Sequence, residues 1–175
     1  ALAAAAERAC ALGTPGRQAI VDHFFTPRNP AMAQMLAAHR TPGAQPSACC
    51  FFGSPAAGKS TVANRDYLTH GAFVQVSCDA VKDLLPGYHH DHATEFHPLS
   101  LEIAQEVLDR ARRENRDLLI ESTGANQIWY DGEIRKLKRR GFRISFCYVK
   151  VPVAEAVRRN VARVAGGGRG VPEDI

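Results

Sequence analysis

The chain has 175 residues, of which 45% are hydrophobic and 23% are charged. This composition predicts one globular domain with a sizeable core and argues against a disordered or fibrous protein. The formal net charge of +4 suits a protein that binds phosphorylated small molecules, but such a weak excess does not by itself indicate nucleic-acid binding. No apolar run approaches the roughly 20 residues of a membrane-spanning helix, so no membrane association is expected.

Five cysteines occur without a C-x-x-C pair: Cys10, Cys49, Cys50, Cys78 and Cys147. Three of them fall in predicted strands, where a free thiol behaves as a small hydrophobic side chain. We therefore expect buried free thiols, a reducing compartment and a cytoplasmic location.

Residues 1–46 are predicted to form a helical extension ahead of the main core at residues 47–175. An alanine-rich helix is predicted over 2–12. Thr14 and Pro15 are typical of an N-cap and a first turn, and predict a helix up to about Phe25. A further short helix is predicted from Pro30 to His39. These helices are expected to pack on one edge of the core, and a partner-binding or regulatory role is the alternative.

A glycine-rich loop opens the core. The apolar run from Ala48 to Phe52 is typical of a buried parallel strand, and residues 60–68 can form a helix. Between them the sequence fits G-x-x-x-x-G-K-[ST], the phosphate-binding P-loop, in the strand–loop–helix context that the motif requires. The residues predicted to bind a nucleotide are Gly53, Ser54, Pro55, Ala56, Ala57, Gly58, Lys59, Ser60 and Thr61.

The residue types of this loop explain how it would hold phosphate. Gly53 and Gly58 allow backbone angles that residues with a Cβ resist, and they let a phosphate approach the main chain. Backbone N–H groups and the N-terminus of the helix then supply positive dipole ends. Lys59 is predicted to reach the β- and γ-phosphates and the Ser60 hydroxyl to hold Mg²⁺, so ATP and Mg²⁺ are expected as cofactors.

Asp79 follows a second predicted strand, residues 72–77. A carboxylate at this end of a parallel strand faces the ligand crevice of such sheets. Asp79 is therefore a candidate to accept the proton of a substrate hydroxyl, or to order Mg²⁺ through a water molecule. The alternative is that it only caps a helix from Ala80 to Leu85.

The stretch from Pro86 to Pro98 is rich in histidines and carboxylates. Its spacing matches no standard zinc pattern, so a polar loop over the acceptor site is predicted rather than a metal site. His97 is the member of this loop that we single out as a candidate to bind the acceptor.

Glu121 ends a third predicted strand, residues 117–121, which follows an amphipathic helix over 99–113. An acidic residue at this position corresponds to the acid of a Walker B motif. We expect Glu121 to assist metal-bound water or to bind the acceptor. The alternative is a strand-end carboxylate that only caps the next turn.

A predicted helix over 127–140 ends in a cluster of basic residues. This basic cluster is interpreted as a solvated helix end that the helix dipole favours, and a patch for phosphate or nucleic acid is the alternative. Its members are Arg135, Lys136, Lys138, Arg139 and Arg140.

A fourth strand (142–149) and a helix (153–164) precede a glycine-rich tail. The polar face of the helix carries Arg158, Arg159 and Arg163, and the tail carries Arg169. The pattern predicts a mobile lid whose arginines neutralise charge on a transferred phosphoryl group, and a flexible linker is the alternative. Because P-loop sheets usually have one more strand here, the core is expected to continue beyond residue 175.

The order of these motifs resembles the zeta toxin family of P-loop kinases, over about residues 46–175. The matching parts are Ser77-Cys78-Asp79, Phe96-His97-Pro98, Leu118-Leu119-Ile120-Glu121-Ser122-Thr123-Gly124, Arg163 and Gly168-Arg169-Gly170-Val171-Pro172.

The resemblance implies a kinase that moves the γ-phosphate of ATP to a hydroxyl group. In toxins of this family the acceptor is the amino sugar of a UDP-linked cell-wall precursor, so UDP-N-acetylglucosamine is the first acceptor expected, and an antitoxin-like inhibitor protein is the partner implied. Carried over by position, Lys59 and Ser60 hold phosphates and Mg²⁺, and Asp79 is the base. The substrate-binding residues would be Glu121, Thr123, His97 and Arg158, and the arginines acting on the phosphates would be Arg163 and Arg169.

Two departures keep other functions open. Ser122 stands where the toxins usually have glycine, and the histidine-rich loop differs from theirs. A kinase of nucleosides, dinucleotides or polynucleotide ends remains an alternative, as does an ATP-binding switch without catalysis, because fold does not determine substrate. The fold predicted in each case is an α/β P-loop sandwich, with a mostly parallel sheet, helices on both faces and extra N-terminal helices.

Overall fold

The computed structural model describes residues 21–22, 24–26, 29–35, 43–69, 71–90 and 93–167. The helix predicted over 2–12 and the tail that carries Arg169 lie outside these ranges. Contacts divide the chain into two compact units: residues 1–37 with 76–110 form the first unit, and residues 38–75 with 111–175 form the second unit.

Helices lie between successive strands of the described chain. In order they are α1 (Pro30–Met35), β1 (Ser47–Phe52), α2 (Lys59–Ala63, continued by a π-helical turn over Asn64–Leu68), β2 (Val74–Val76), α3 (Cys78–Lys82), α4 (Ala93–Arg113), β3 (Leu118–Glu121), α5 (Gln127–Arg139), β4 (Arg143–Tyr148) and α6 (Val153–Ala165).

The strands form one sheet in the order β2-β3-β1-β4. The central strand β1 runs parallel to both neighbours, with Cys50 opposite Ile120 on β3 and Phe146 on β4. This parallel sheet with intervening helices confirms the predicted α/β fold class. The crossovers bring the ends of β1 and β3 to the same edge of the sheet, and the candidate nucleotide-binding residues lie there.

The core of the second unit explains the unbroken apolar runs of β1 and β3. Residues 48–51 and 118–120 are all buried, because packing covers both faces of these strands. The Phe51 ring meets Tyr67 edge to face at 5.1 Å between centroids. Cys49 and Cys50 are buried free thiols, as predicted, and burial raises the pKa of Cys50 to about 12. Cys78 and Cys147 are also free thiols, but they are only half-buried, so the prediction of burial is wrong for them.

The long helix α4 organises the first unit. Its inner face buries Ile103, Val107 and Leu108. The Arg110 guanidinium lies 4.3 Å from the centre of the Phe25 ring, in the N-terminal part of the chain. This contact ties the predicted N-terminal helical region to α4, since a cation over an aromatic face is attracted by the ring.

Helix α4 begins at Ala93, earlier than the predicted start at Leu99, and it includes Pro98. The predicted polar loop is therefore wrong for residues 93–98, and His97 lies on a helix. Pro98 is the sixth residue of this helix, so its φ angle is compatible with the helix but its missing N–H forfeits one backbone hydrogen bond. Phe96 and Leu99 are buried and anchor this first part of the helix.

Strand β4 is more exposed than its apolar sequence predicts. It occupies an edge of the described sheet, and Phe146 and Tyr148 are 60% and 68% exposed. Helix α6 also presents apolar side chains to solvent, namely Val153, Val157, Val161 and Val164. Within the described ranges, no helix combines the length and the apolar character needed to cross a membrane.

Candidate active site

The loop between β1 and α2 has the backbone of a phosphate-binding loop. Gly58 has a φ of 92° and Ala56 a φ of 58°, both in the left-handed region. For alanine this conformation costs about 1–2 kcal/mol, a strain typical of functional loops. Gly53 has a φ of 148°, and a Cβ there would collide with the carbonyl oxygen of Val149, so only glycine fits.

Lys59 begins helix α2 and folds back over this loop. Its Nζ donates to the carbonyl oxygens of Gly53 at 2.7 Å and Ser54 at 2.9 Å. The ammonium group is therefore held against the loop that the motif assigns to phosphate. A phosphate bound there would be met by a positive charge already in place.

Glu121, at the end of β3, contacts Ser60 on α2 within the second unit. The Ser60 hydroxyl donates to Oε2 of Glu121 at 3.2 Å, and Gln75 Nε2 donates to Oε1 at 2.5 Å. Hydroxyl and carboxylate oxygens are the ligands that Mg²⁺ prefers, so these two residues fit the ion. The contact favours the metal-side interpretation of Glu121 over a simple turn cap. Sequence analysis missed Gln75, because only strand pairing shows that it faces Glu121.

The turn after Glu121 is fixed by a tyrosine that the sequence analysis also missed. The Tyr130 hydroxyl donates to Ser122 Oγ at 2.5 Å, and the same Oγ accepts from the backbone N–H of Gly124 at 2.9 Å. Thr123 is exposed at the tip of this turn, and its hydroxyl accepts from Ala125 N at 3.4 Å. The departure at Ser122 therefore has a structural use, since it holds the turn that presents Thr123.

An arginine on α6 reaches the P-loop. Arg159 Nη1 donates to the carbonyl oxygen of Ala57 at 3.3 Å, and Glu155 accepts from Arg159 Nε at 2.7 Å. Glu155 also binds Arg158, and the hydrogen bonds from Arg158 and Arg159 lower its pKa to about 2. Glu155 is therefore ionised at neutral pH and can accept hydrogen bonds from both arginines.

The arginines of α6 differ in the contacts that they make. Arg158, Arg159 and Arg163 are all exposed. Arg158 and Arg159 both pair with Glu155, and Arg159 also contacts the loop. Sequence analysis placed Arg159 on the polar face of α6 but did not select it. Its position, one turn before Arg163, was the signal that could have found it.

Asp79 lies in the first unit, in the first turn of α3. Ser77 is the N-cap of this helix, with its Oγ accepting from Ala80 N at 3.5 Å, so the N-cap alternative for Asp79 is wrong. The Asp79 carboxylate is 57% exposed, and its Oδ1 lies 3.5 Å from Nζ of Lys82.

His97 is exposed on α4, and its carbonyl oxygen accepts from the Ser100 hydroxyl at 2.8 Å. Among the residues that the structure describes, no three histidine, cysteine, aspartate or glutamate side chains are grouped to hold a metal ion. The acceptor-binding role of His97 stays a prediction.

Much of the basic cluster is used within the protein. Lys136 pairs with the buried Glu133 at 2.6 Å. Arg140 donates to the carbonyl oxygens of Arg112 and Arg113, at the end of α4, at 3.0 and 2.8 Å. These contacts agree with the interpretation of a helix end whose basic residues bind neighbouring parts of the protein. They leave fewer basic side chains to contact a nucleic acid.

The parallel sheet and its glycine-rich loop define an α/β P-loop protein. The sequence profile of the zeta toxin family matches residues 32–175, and the chain belongs to that family. No curated protein matches the chain significantly in sequence.

Solved structures share the fold at low sequence identity. One is from the PezAT chromosomal toxin–antitoxin system of Streptococcus pneumoniae, with a TM-score of 0.71, 14% identity, and coverage of 90% of this chain and 66% of that one. A second is the native AvrRxo1-ORF1:-ORF2 complex, with a TM-score of 0.67, 15% identity, and coverage of 92% and 54%. A third is the AvrRxo1-ORF1:-ORF2 complex with ATP, with a TM-score of 0.62, 16% identity, and coverage of 84% and 48%. The chain therefore spans between about half and two thirds of these relatives.

Proposed function

We propose that this chain is a kinase that transfers the γ-phosphoryl group of ATP to a hydroxyl group of a small molecule. The contact of Ser60 with Glu121 beside the P-loop carries the proposal, because it provides two oxygen ligands for the Mg²⁺ of a bound nucleotide. Membership of the zeta toxin family and a solved neighbour described with ATP support it.

The phosphates would lie on the loop, against the Lys59 ammonium. Mg²⁺ held by Ser60 and Glu121 would neutralise charge on the phosphate oxygens. Arg159, already bonded to the loop at Ala57, would stabilise the charge that grows during transfer. Arg163 and Arg169 remain predicted contributors to the same task.

The transfer itself requires a proton acceptor. The acceptor's hydroxyl oxygen forms a bond to the γ-phosphorus while the bond to the ADP oxygen breaks. The hydroxyl proton passes to the Asp79 carboxylate, and ADP leaves with the electron pair of the broken bond. Asp79 could instead act on Mg²⁺ through water, as the sequence analysis allowed.

A nucleotide sugar of the UDP-N-acetylglucosamine type is the first acceptor to test. The exposed Thr123, held at the tip of its turn, is proposed to contact it. His97 and Arg158 are proposed as further contacts. Nucleosides, dinucleotides and oligonucleotide ends are the alternative acceptors.

An antitoxin-like inhibitor protein is the proposed partner. The solved neighbours include a chromosomal toxin–antitoxin system and two-component ORF1:ORF2 complexes. Family membership extends this expectation to the present chain.

A phosphotransfer assay read by mass spectrometry tests the function. Purified protein, ATP and Mg²⁺ are incubated separately with UDP-N-acetylglucosamine, nucleosides, dinucleotides and a short oligonucleotide. We expect a phosphate-sized mass gain on one acceptor class, and loss of the gain in Lys59→Ala. Asp79→Asn is expected to lower the transfer rate by about 10²- to 10⁴-fold, the usual contribution of a general base.

Matched controls separate chemistry from folding. Lys138→Ala and Asp83→Asn remove the same charges at exposed positions and should retain activity. Unchanged transfer in Asp79→Asn would remove the base assignment. Bound ATP without transfer to any acceptor would favour the ATP-binding switch over the kinase.

A further inference from the structure

A buried lysine lies one turn after Asp79. The Lys82 side chain is 5% exposed while that of Asp79 is 57% exposed, and their charged atoms are 3.5 Å apart. Val81 and Leu85, the residues beside and one turn beyond Lys82, are buried as well. The pair therefore joins a cation held inside the protein to a carboxylate that reaches solvent.

The burial of Lys82 is not expected to stabilise the fold by itself. A lysine normally keeps its ammonium group in water, and burying that charge carries a desolvation penalty. Even a complete buried ion pair can often be replaced by apolar side chains of similar volume without loss of stability. The contact of a buried Lys82 with an exposed carboxylate points to an effect of the lysine on Asp79.

We infer that Lys82 is a positioning residue that sets the direction of the Asp79 carboxylate. This inference rests on the proposed function of Asp79 as the base. Packing restricts the rotamers of Lys82, so its ammonium offers Oδ1 of Asp79 a fixed point. The carboxylate then presents one orientation to the acceptor hydroxyl, and a displacement of about 1 Å at such a site can cost about 100-fold in rate.

Kinetics of Lys82→Met test this role. Methionine keeps an unbranched apolar stem and removes the charge. We expect kcat to fall by about 100-fold while KM for ATP changes by less than about twofold, since the nucleotide contacts lie on the P-loop. Lys82→Arg restores a cation and should bring kcat back to within about tenfold of the wild type. A wild-type kcat in Lys82→Met would overturn the inference.

The chain offers a matched control. Lys136 forms an ion pair at the same spacing with Glu133, but its side chain is 45% exposed. Lys136→Met should leave kcat unchanged. Thermal unfolding adds a second distinction: a positioning role requires that Lys82→Met lowers kcat while its melting temperature stays close to that of the wild type. A lower melting temperature together with lower activity would instead indicate a purely structural lysine and overturn the inference.

A readout without any acceptor keeps the inference separate from the proposed function. Crystal structures of the wild type and of Lys82→Met should show Asp79 in one rotamer in the first and in several in the second. A single shared rotamer would overturn the positioning role. If the wild type transfers phosphate to no acceptor, the kinase proposal fails, while the rotamer comparison still decides what Lys82 does to Asp79.

Discussion

At the scale of single residues, the Glu121 carboxylate is held beside the P-loop by hydrogen bonds from two side chains. One of its oxygens accepts from Ser60 and the other from Gln75, so the carboxylate has a defined orientation next to the P-loop. Ser60 alone is a motif residue. Its contact with Glu121 brings together a hydroxyl oxygen and a carboxylate oxygen, the type of ligand that Mg²⁺ binds.

Glu121→Gln should lower the affinity for Mg²⁺ and should have a smaller effect on the stability of the fold. The amide keeps the size and one acceptor oxygen but loses the negative charge that attracts the ion. We expect the Mg²⁺ concentration for half-maximal activity to rise by about 10- to 100-fold, the range seen when partners of a metal site are altered. Titrating Mg²⁺ at fixed ATP measures this change. Glu114→Gln, at an exposed turn, is the control, and an unchanged Mg²⁺ requirement in Glu121→Gln would contradict the assignment.

At the scale of elements, helix α5 supports the turn that carries Thr123. Tyr130 is buried on α5, its ring packs edge to face against Phe52 at 4.8 Å, and its hydroxyl bonds to Ser122. The helix therefore connects strand β1 to the turn after β3 through one side chain. The turn's shape depends on that helix as well as on its own sequence.

Tyr130→Phe should destabilise the protein by about 1 kcal/mol, the usual net value of one hydrogen bond. The ring stays, so the loss isolates the hydroxyl contact with Ser122. Urea unfolding measures the change as a lower midpoint at constant slope. Tyr148→Phe is the matched control because Tyr148 is 68% exposed, and it should change the free energy of unfolding very little. Equal effects of the two substitutions would show that the hydrogen bond from the Tyr130 hydroxyl to Ser122 does not stabilise the fold.

At the scale of the whole molecule, nucleotide binding should be visible as added stability. The P-loop residues come from one stretch of chain, but Glu121 and Arg159 reach that loop from β3 and α6. A nucleotide that joins these groups binds only the folded protein. By mass action, a ligand at 100 times its Kd then adds about 2.7 kcal/mol to the free energy of unfolding.

Urea unfolding with and without Mg²⁺-ATP tests this expectation. The wild type should gain about 2.7 kcal/mol with Mg²⁺-ATP at 100 times its Kd, and Lys59→Ala should lose most of the gain. Lys138→Ala should behave as the wild type. The measurement needs no acceptor, so a gain without phosphate transfer would separate nucleotide binding from catalysis. No gain in the wild type would argue against ATP as the ligand.

The sequence by itself determined the α/β class, the P-loop and the identities of Lys59 and Ser60. These features are contiguous in the chain, and their chemistry follows from local backbone geometry and residue type. The free thiols of β1 were predictable for the same reason, since a short apolar run between turn residues indicates a buried strand. The family was recognisable because its motifs follow in a fixed order.

Only the tertiary structure decided which side chains meet. The partners Gln75 and Glu121 are 46 residues apart, and Arg159 and Ala57 are 102 apart, so no local pattern reports their contact. Burial also depends on neighbours far away in sequence, and it separates Lys82 from the exposed Lys136, Lys138 and Lys150. Apolar strand β4 lies at the open edge of the described sheet for the same physical reason: composition indicates a strand, whereas its place in the sheet depends on the pairing of strands distant in the chain.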